Sequence, residues 1–166
     1  MTKDDSILDA DELFDLGMRY EFGDNVSESK KKAAYYYRKA SDLGDSFAMV
    51  RLGLLYEYGD GVDQSYTEAL ALYEIAMEHN EPLAFYRAGL LYEEGLGVKT
   101  DYSLAFVLFS KALEGGVLEA ASSIGGLYAD GCGVEKSEEK AAYYRKLALD
   151  NRRLYKPSLQ IISSYR

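Results

Sequence analysis

Leu52-Gly53-Leu54-Leu55-Tyr56-Glu57-Tyr58-Gly59-Asp60-Gly61-Val62 is followed by two further versions of itself, Ala88-Gly89-Leu90-Leu91-Tyr92-Glu93-Glu94-Gly95-Leu96-Gly97-Val98 and Ile124-Gly125-Gly126-Leu127-Tyr128-Ala129-Asp130-Gly131-Cys132-Gly133-Val134. An altered copy, Leu16-Gly17-Met18-Arg19-Tyr20-Glu21-Phe22-Gly23-Asp24-Asn25-Val26, precedes it. Successive copies lie 36 residues apart with no insertion. A fixed period of this size marks a repeat architecture, in which each unit hides its apolar side only against its neighbours.

Each unit reads as two helices. In the first, Ala48, Leu52, Leu55, Tyr56 and Gly59 follow helical spacing, and in the second Ala69, Leu72, Tyr73 and Ala76 do the same. Alternating β-branched patterns are absent, so no strand is expected. The second-helix positions repeat as Ala33, Ala69, Ala105 and Ala141, then as Tyr37, Tyr73 and Phe109, with Arg145 breaking that series. Between the helices, Gly59-Asp60-Gly61 calls for positive φ. Asn25, which replaces the second glycine in the first copy, tolerates the left-handed region better than other side chains do. Gly44, Asn80 and Gly116 share the position that closes each second helix, whereas Arg152 in the fourth copy predicts a different ending. A glycine inside a helix costs roughly 0.8–1 kcal/mol relative to alanine. Its return at Gly17, Gly53, Gly89 and Gly125 predicts close approach of a neighbouring helix backbone.

These readings give an all-α solenoid of four two-helix repeats over residues 11–153, about 11–46, 47–82, 83–118 and 119–153. An acidic, flexible leader over 1–10 is expected before it, with Asp9 or Asp11 capping the first helix. A short C-terminal capping helix over 154–166 is expected after it, opened by Pro157 and covering the last repeat with Leu159, Ile161 and Ile162.

The residues resemble the Sel1-like repeat family, through Leu-Gly-x-x-Tyr-x-x-Gly-x-Gly-Val followed by the Ala-x-x-x-Tyr/Phe-x-x-Ala helix. The tetratricopeptide repeat, of 34 residues, lacks the glycine-rich turn. The resemblance implies a TPR-like α/α solenoid coiled into a right-handed superhelix that serves as an adaptor for protein–protein contacts. Some relatives staple each repeat with paired cysteines. Here only Cys132 stands, so that secreted subtype is not expected.

The remaining positions frame the function. With a net charge of −9, the chain repels nucleic acid and anionic lipid, and neither is expected as a partner. No apolar run approaches the ~18 residues of a membrane helix, and the N-terminus carries no secretory signal, which points to the cytoplasm unless a specialised secretion system exports the protein. The lone His79 at a helix end, the lone Cys132 in a turn, and the want of any zinc or calcium pattern leave no catalytic residue, metal or cofactor to assign. Lys30-Lys31-Lys32 reads as the solvated start of a helix, and Tyr35, Val107 and Tyr143 as ordinary outward residues. On a helical wheel, Val50, Leu54, Glu57 and Tyr58 turn away from the Ala48–Leu52–Tyr56 face, matched by Phe14, Met18, Phe22, Tyr86 and Leu90, with Arg51 and Arg87 at the edge. If first helices line the concave side, these residues form an apolar groove over the first three units for a partner peptide or helix. The competing reading tucks Leu54 and Leu90 under adjacent helices and covers Phe14 and Phe22 with the leader. The favoured function is a non-catalytic scaffold or adaptor; self-association through the groove or open end is the alternative, and a hydrolase with an unrecognised site the remotest.

Overall fold

The computed structural model describes residues 7–154, and side chains through Asp150. The expected cap from residue 155 onward and the first six residues of the leader lie outside the described residues. Among the described residues eight helices follow one another: α1 (Ala10–Phe22), α2 (Lys30–Asp42), α3 (Ser46–Tyr58), α4 (Tyr66–Glu78), α5 (Pro82–Glu94), α6 (Tyr102–Glu114), α7 (Glu119–Asp130) and α8 (Glu138–Leu154). No strand occurs among the described residues. No helix among them is long and apolar enough to cross a membrane. The chain divides into two compact units, Met1–Ala84 and Phe85–Arg166. In the first, α1 packs on α2, α2 on α3, and α3 on α4; in the second, α6 packs on α7 and α7 on α8.

Helix starts are set by side-chain caps. Asp9 caps α1 in a full capping box, its Oδ1 accepting from Glu12 N–H at 2.9 Å while Glu12 Oε2 accepts from Asp9 N–H at 3.3 Å. Ser29, Ser65, Asp101 and Ser137 occupy one repeat position, and each accepts from the backbone N–H three residues on. Sequence reading passed over this series, although an Ncap residue contributes about 0.5–2 kcal/mol. The helix ends match expectation: Gly23, Gly59, Gly95 and Gly131 have φ of 71–73°, Asn25 has φ 56°, and Gly44, Asn80 and Gly116 are all left-handed. α8 runs to Leu154, past Arg152, without the closing glycine of its counterparts.

The second turn glycine does more than bend the chain. A Cβ on Gly61 would stand 2.4 Å from the backbone carbon of Lys30, at the start of α2 in the preceding repeat. Gly133 makes the same approach to Tyr102 and Ser103 at the start of α6. The first repeat carries Asn25 here, itself left-handed at φ 56°.

The mid-helix glycines correct the expectation of backbone contact. A Cβ on Gly17, Gly53 or Gly89 would lie 2.5, 2.5 or 2.6 Å from the ring of Tyr37, Tyr73 or Phe109, so each glycine seats an aromatic side chain. Those three rings are fully buried, flanked by alanines such as Ala33, Ala69 and Ala105 at 0% exposure. In the fourth repeat, where Arg145 holds the ring's position, a Cβ on Gly125 would meet helix backbone instead of a ring, Ala141 O at 3.3 Å and Arg145 N at 3.4 Å, beside the Arg145 side chain at 3.3 Å.

Gly53→Ala therefore overpacks a rigid buried ring and lowers stability by about 1–3 kcal/mol. Gly126→Ala, whose Cβ meets nothing within 4 Å, raises it by roughly 0.5–1 kcal/mol. Thermal unfolding followed by circular dichroism separates the two; equal effects would contradict the ring-seat account.

Candidate binding surface on the first helices

In the first unit α1 carries Phe14, Met18 and Phe22, and α3 carries Val50, Arg51, Leu54 and Tyr58; in the second unit α5 carries Tyr86, Arg87 and Leu90. Phe22 and Tyr58, at one repeat position on the last turns of α1 and α3, are 49% and 63% exposed. Met18, Leu54 and Leu90 are half-buried. Phe14 is half-buried between the rings of Tyr37 and Phe47, at centroid distances of 5.7 and 6.4 Å. Tyr86 lies 5.8 Å from the Phe109 ring. Val50 is only 3% exposed, which corrects the wheel's placing of it away from the core. α3 is packed by both α2 and α4, and one apolar face does not describe it.

Glu57 is the larger correction. The wheel turns it outward, yet it is buried and its Oε1 accepts from the Tyr73 hydroxyl at 2.6 Å. The first repeat has the same pair, Glu21 Oε2 accepting from the Tyr37 hydroxyl at 2.6 Å. The signal was present in the chain: Glu21, Glu57 and Glu93 recur at one repeat position, with Tyr37 and Tyr73 each sixteen residues on.

Arg51 completes the first site. Its Nη2 stands 2.5 Å from Glu21 Oε1 and its Nε donates to Glu21 Oε2 at 3.1 Å. Burial works against its charge, but the bonds to Glu21 hold it protonated, above the usual guanidinium range. Lys30 Nζ donates to the Glu21 carbonyl at 2.8 Å. Both cations stand over the Phe22 ring, Lys30 at 5.4 Å and Arg51 Cζ at 5.3 Å. The exposed aromatic thus sits on a cationic bracket that one buried carboxylate holds in place. Desolvation, then the Glu21 charge, pushes the Tyr37 phenol far up.

The residues weighed for chemistry lie apart. His79 is the exposed C-cap of α4, and Cys132 is half-buried in the last inter-helix turn. Among the described residues no three His, Cys, Asp or Glu side chains gather as metal ligands. Tyr35, Val107 and Tyr143 are exposed, as read from the sequence.

A family profile described as Sel1 repeat matches residues 13–45, 46–80, 82–117 and 118–151. The fold is similar to a protective antigen of uropathogenic Escherichia coli that displays an SLR fold, at 30% identity and TM-score 0.82, over 86% of this chain and 30% of that one. It is equally similar to a Sel1 repeat protein from Oxalobacter formigenes, at 31% identity and TM-score 0.82, over 86% of this chain and 57% of that one. Cysteine-rich protein B of Helicobacter pylori matches at 25% identity and TM-score 0.55, over 67% of this chain and 86% of its own. The chain therefore spans about a third to somewhat over half of the first two relatives. No curated protein matches.

The phenols give a pH signature. The folded pKa values of Tyr37, Tyr86 and Tyr144 are raised, so the unfolded chain loses these protons first as pH climbs. Stability is retained below about pH 10, the ordinary phenol value, and falls above it. Tyr37→Phe removes part of that alkaline slope and, by deleting a hydrogen bond to a charged group, costs about 1.5–3 kcal/mol at neutral pH. Urea unfolding between neutral and alkaline pH measures both; an unchanged slope would contradict the burial of the Tyr37–Glu21 pair.

Proposed function

The chain belongs to the Sel1 repeat family, and from that premise we propose that it is a non-catalytic scaffold that binds another protein through the exposed side of its first helices. Sel1 repeat proteins are generally protein–protein interaction scaffolds. The observation that carries the reading is the exposure of Phe22 and Tyr58 at one repeat position. Large aromatics held rigidly at a surface anchor interfaces, because they bury much area at little cost in side-chain entropy. Arg51 and Lys30 orient the Phe22 ring, and Phe14, Met18 and Leu54 supply the apolar floor of the first unit. Tyr86 and Leu90 play the corresponding part in the second unit, with Arg87 at its edge. Val50 is too buried to take part. The acidic remainder of the surface discourages acidic competitors.

Affinity purification with cross-linking, using the chain as bait in its native cell, tests the proposal. The double variants Phe22→Asp/Tyr58→Asp and Tyr86→Asp/Leu90→Asp retain native helicity and lose captured partner about tenfold or more. Capture of the same proteins by both variants would end the reading.

A further inference from the structure

The polar site that Arg51 closes in the first repeat stands open in the third. Two periods on from Phe14, Glu21, Tyr37, Phe47 and Arg51 come Tyr86, Glu93, Phe109, Glu119 and Ser123. Tyr86 repeats the packing of Phe14, its ring 5.8 Å from Phe109 as Phe14 is 5.7 Å from Tyr37. Glu93 keeps the carboxylate of Glu21, and the chemistry differs at the other three members. Phe109 has no hydroxyl to donate to Glu93, Ser123 offers no guanidinium, and Glu119 replaces an aromatic ring with a second carboxylate. The remaining groups converge. The Tyr86 hydroxyl is hydrogen-bonded with Ser123 and feels the charges of Glu119 and Glu93, with Arg87 the cation acting on it. Glu93 is half-buried; that burial, and Glu94 after it, raise its carboxyl above the ordinary range. Along α7 from Ser123, Gly126 holds the repeat position of Leu54, and the place its Cβ would take has nothing within 4 Å.

We propose that this slot, bounded by Tyr86, Glu93, Phe109, Glu119, Ser123 and Gly126, receives an arginine side chain of the bound protein, which supplies from outside the guanidinium that Arg51 supplies internally in the first repeat. The inference rests on the scaffold reading above and names the partner's chemistry at its second unit. Arginine fits better than lysine. Its planar fork bonds a carboxylate at two points, as Arg51 bonds Glu21, and its face stacks on an aromatic ring such as Tyr86. The open space at Gly126 admits the aliphatic stem that must accompany such a head group.

Selection of a random displayed-peptide library on the full chain, followed by calorimetric titration of the selected peptides, tests this. The selected peptides share an arginine, and its exchange for lysine weakens binding. Glu93→Gln, and Ser123→Arg, which fills the slot from within, each weaken binding about tenfold or more, with helicity unchanged. Selected peptides without arginine, or arginine peptides unmoved by both variants, overturn the proposal. Peptides that lack arginine but are lost on Leu90→Asp leave the scaffold reading standing and end this one alone. Peptides indifferent to every first-helix substitution, or no selected peptide at all, end both.

Discussion

The first three hairpins are each closed by an aromatic ring lying on a glycine. Tyr73 covers Gly53 so closely that any side chain there would enter the ring, and Tyr37 and Phe109 do the same over Gly17 and Gly89. The penalty of a mid-helix glycine is offset by burying a ring completely, worth several times as much in apolar area. The ring also sets the position of the polar group beside it. Its hydroxyl reaches the residue one helical turn beyond the glycine, so Gly53 and Glu57, like Gly17 and Glu21, are spaced to take the two ends of one tyrosine. A buried carboxylate follows from that geometry, and the charge it brings requires a compensating donor.

The architecture was legible because its signals are local and repeated. Positive φ at the turn glycines, the substitution of asparagine at Asn25 and Asn80, and the helical spacing of Ala, Leu and Tyr each follow from backbone sterics or a single helix period. The capping series Ser29, Ser65, Asp101 and Ser137 was equally local and was simply passed over. What the chain did not display directly is what depends on two or more helices at once. A wheel assumes one buried face, but α3 is covered from both sides, so Val50 and Glu57 are buried against its reading. A repeated glycine announces close approach without saying whether backbone or ring approaches. Only the partner series Tyr37, Tyr73 and Phe109, set against Arg145, distinguishes the two, and Gly125 shows the backbone alternative where the ring is missing.

Departures from the repeat then fall into two kinds. Some concern the backbone alone. Asn25 meets the turn's demand for a left-handed residue without a glycine, while Gly61 and Gly133 have helix backbone of the preceding repeat against them and admit no side chain. α8 lengthens where Arg152 stands in place of a closing glycine. Others change the chemistry of the polar site. Phe109 in the third repeat and Glu119, Ser123 and Gly126 in the fourth together remove a hydroxyl, a guanidinium and a bulky apolar side chain while adding a carboxylate.

Why such a slot does not undo the fold follows from its depth. A deeply buried carboxylate stripped of its cation and its hydroxyl is strongly destabilising, because nothing replaces the lost hydration. Glu93 is only half-buried, so water serves it in the free protein and the carboxyl responds by a raised proton affinity rather than by unfolding. The first repeat shows the other limit: Glu21, at 7% exposure, is buried only together with Tyr37 and Arg51. Between these limits the slot leaves the fold intact, and under the proposal a partner's guanidinium displaces that water. Recognition would then be concentrated where the repeat ceases to complete itself.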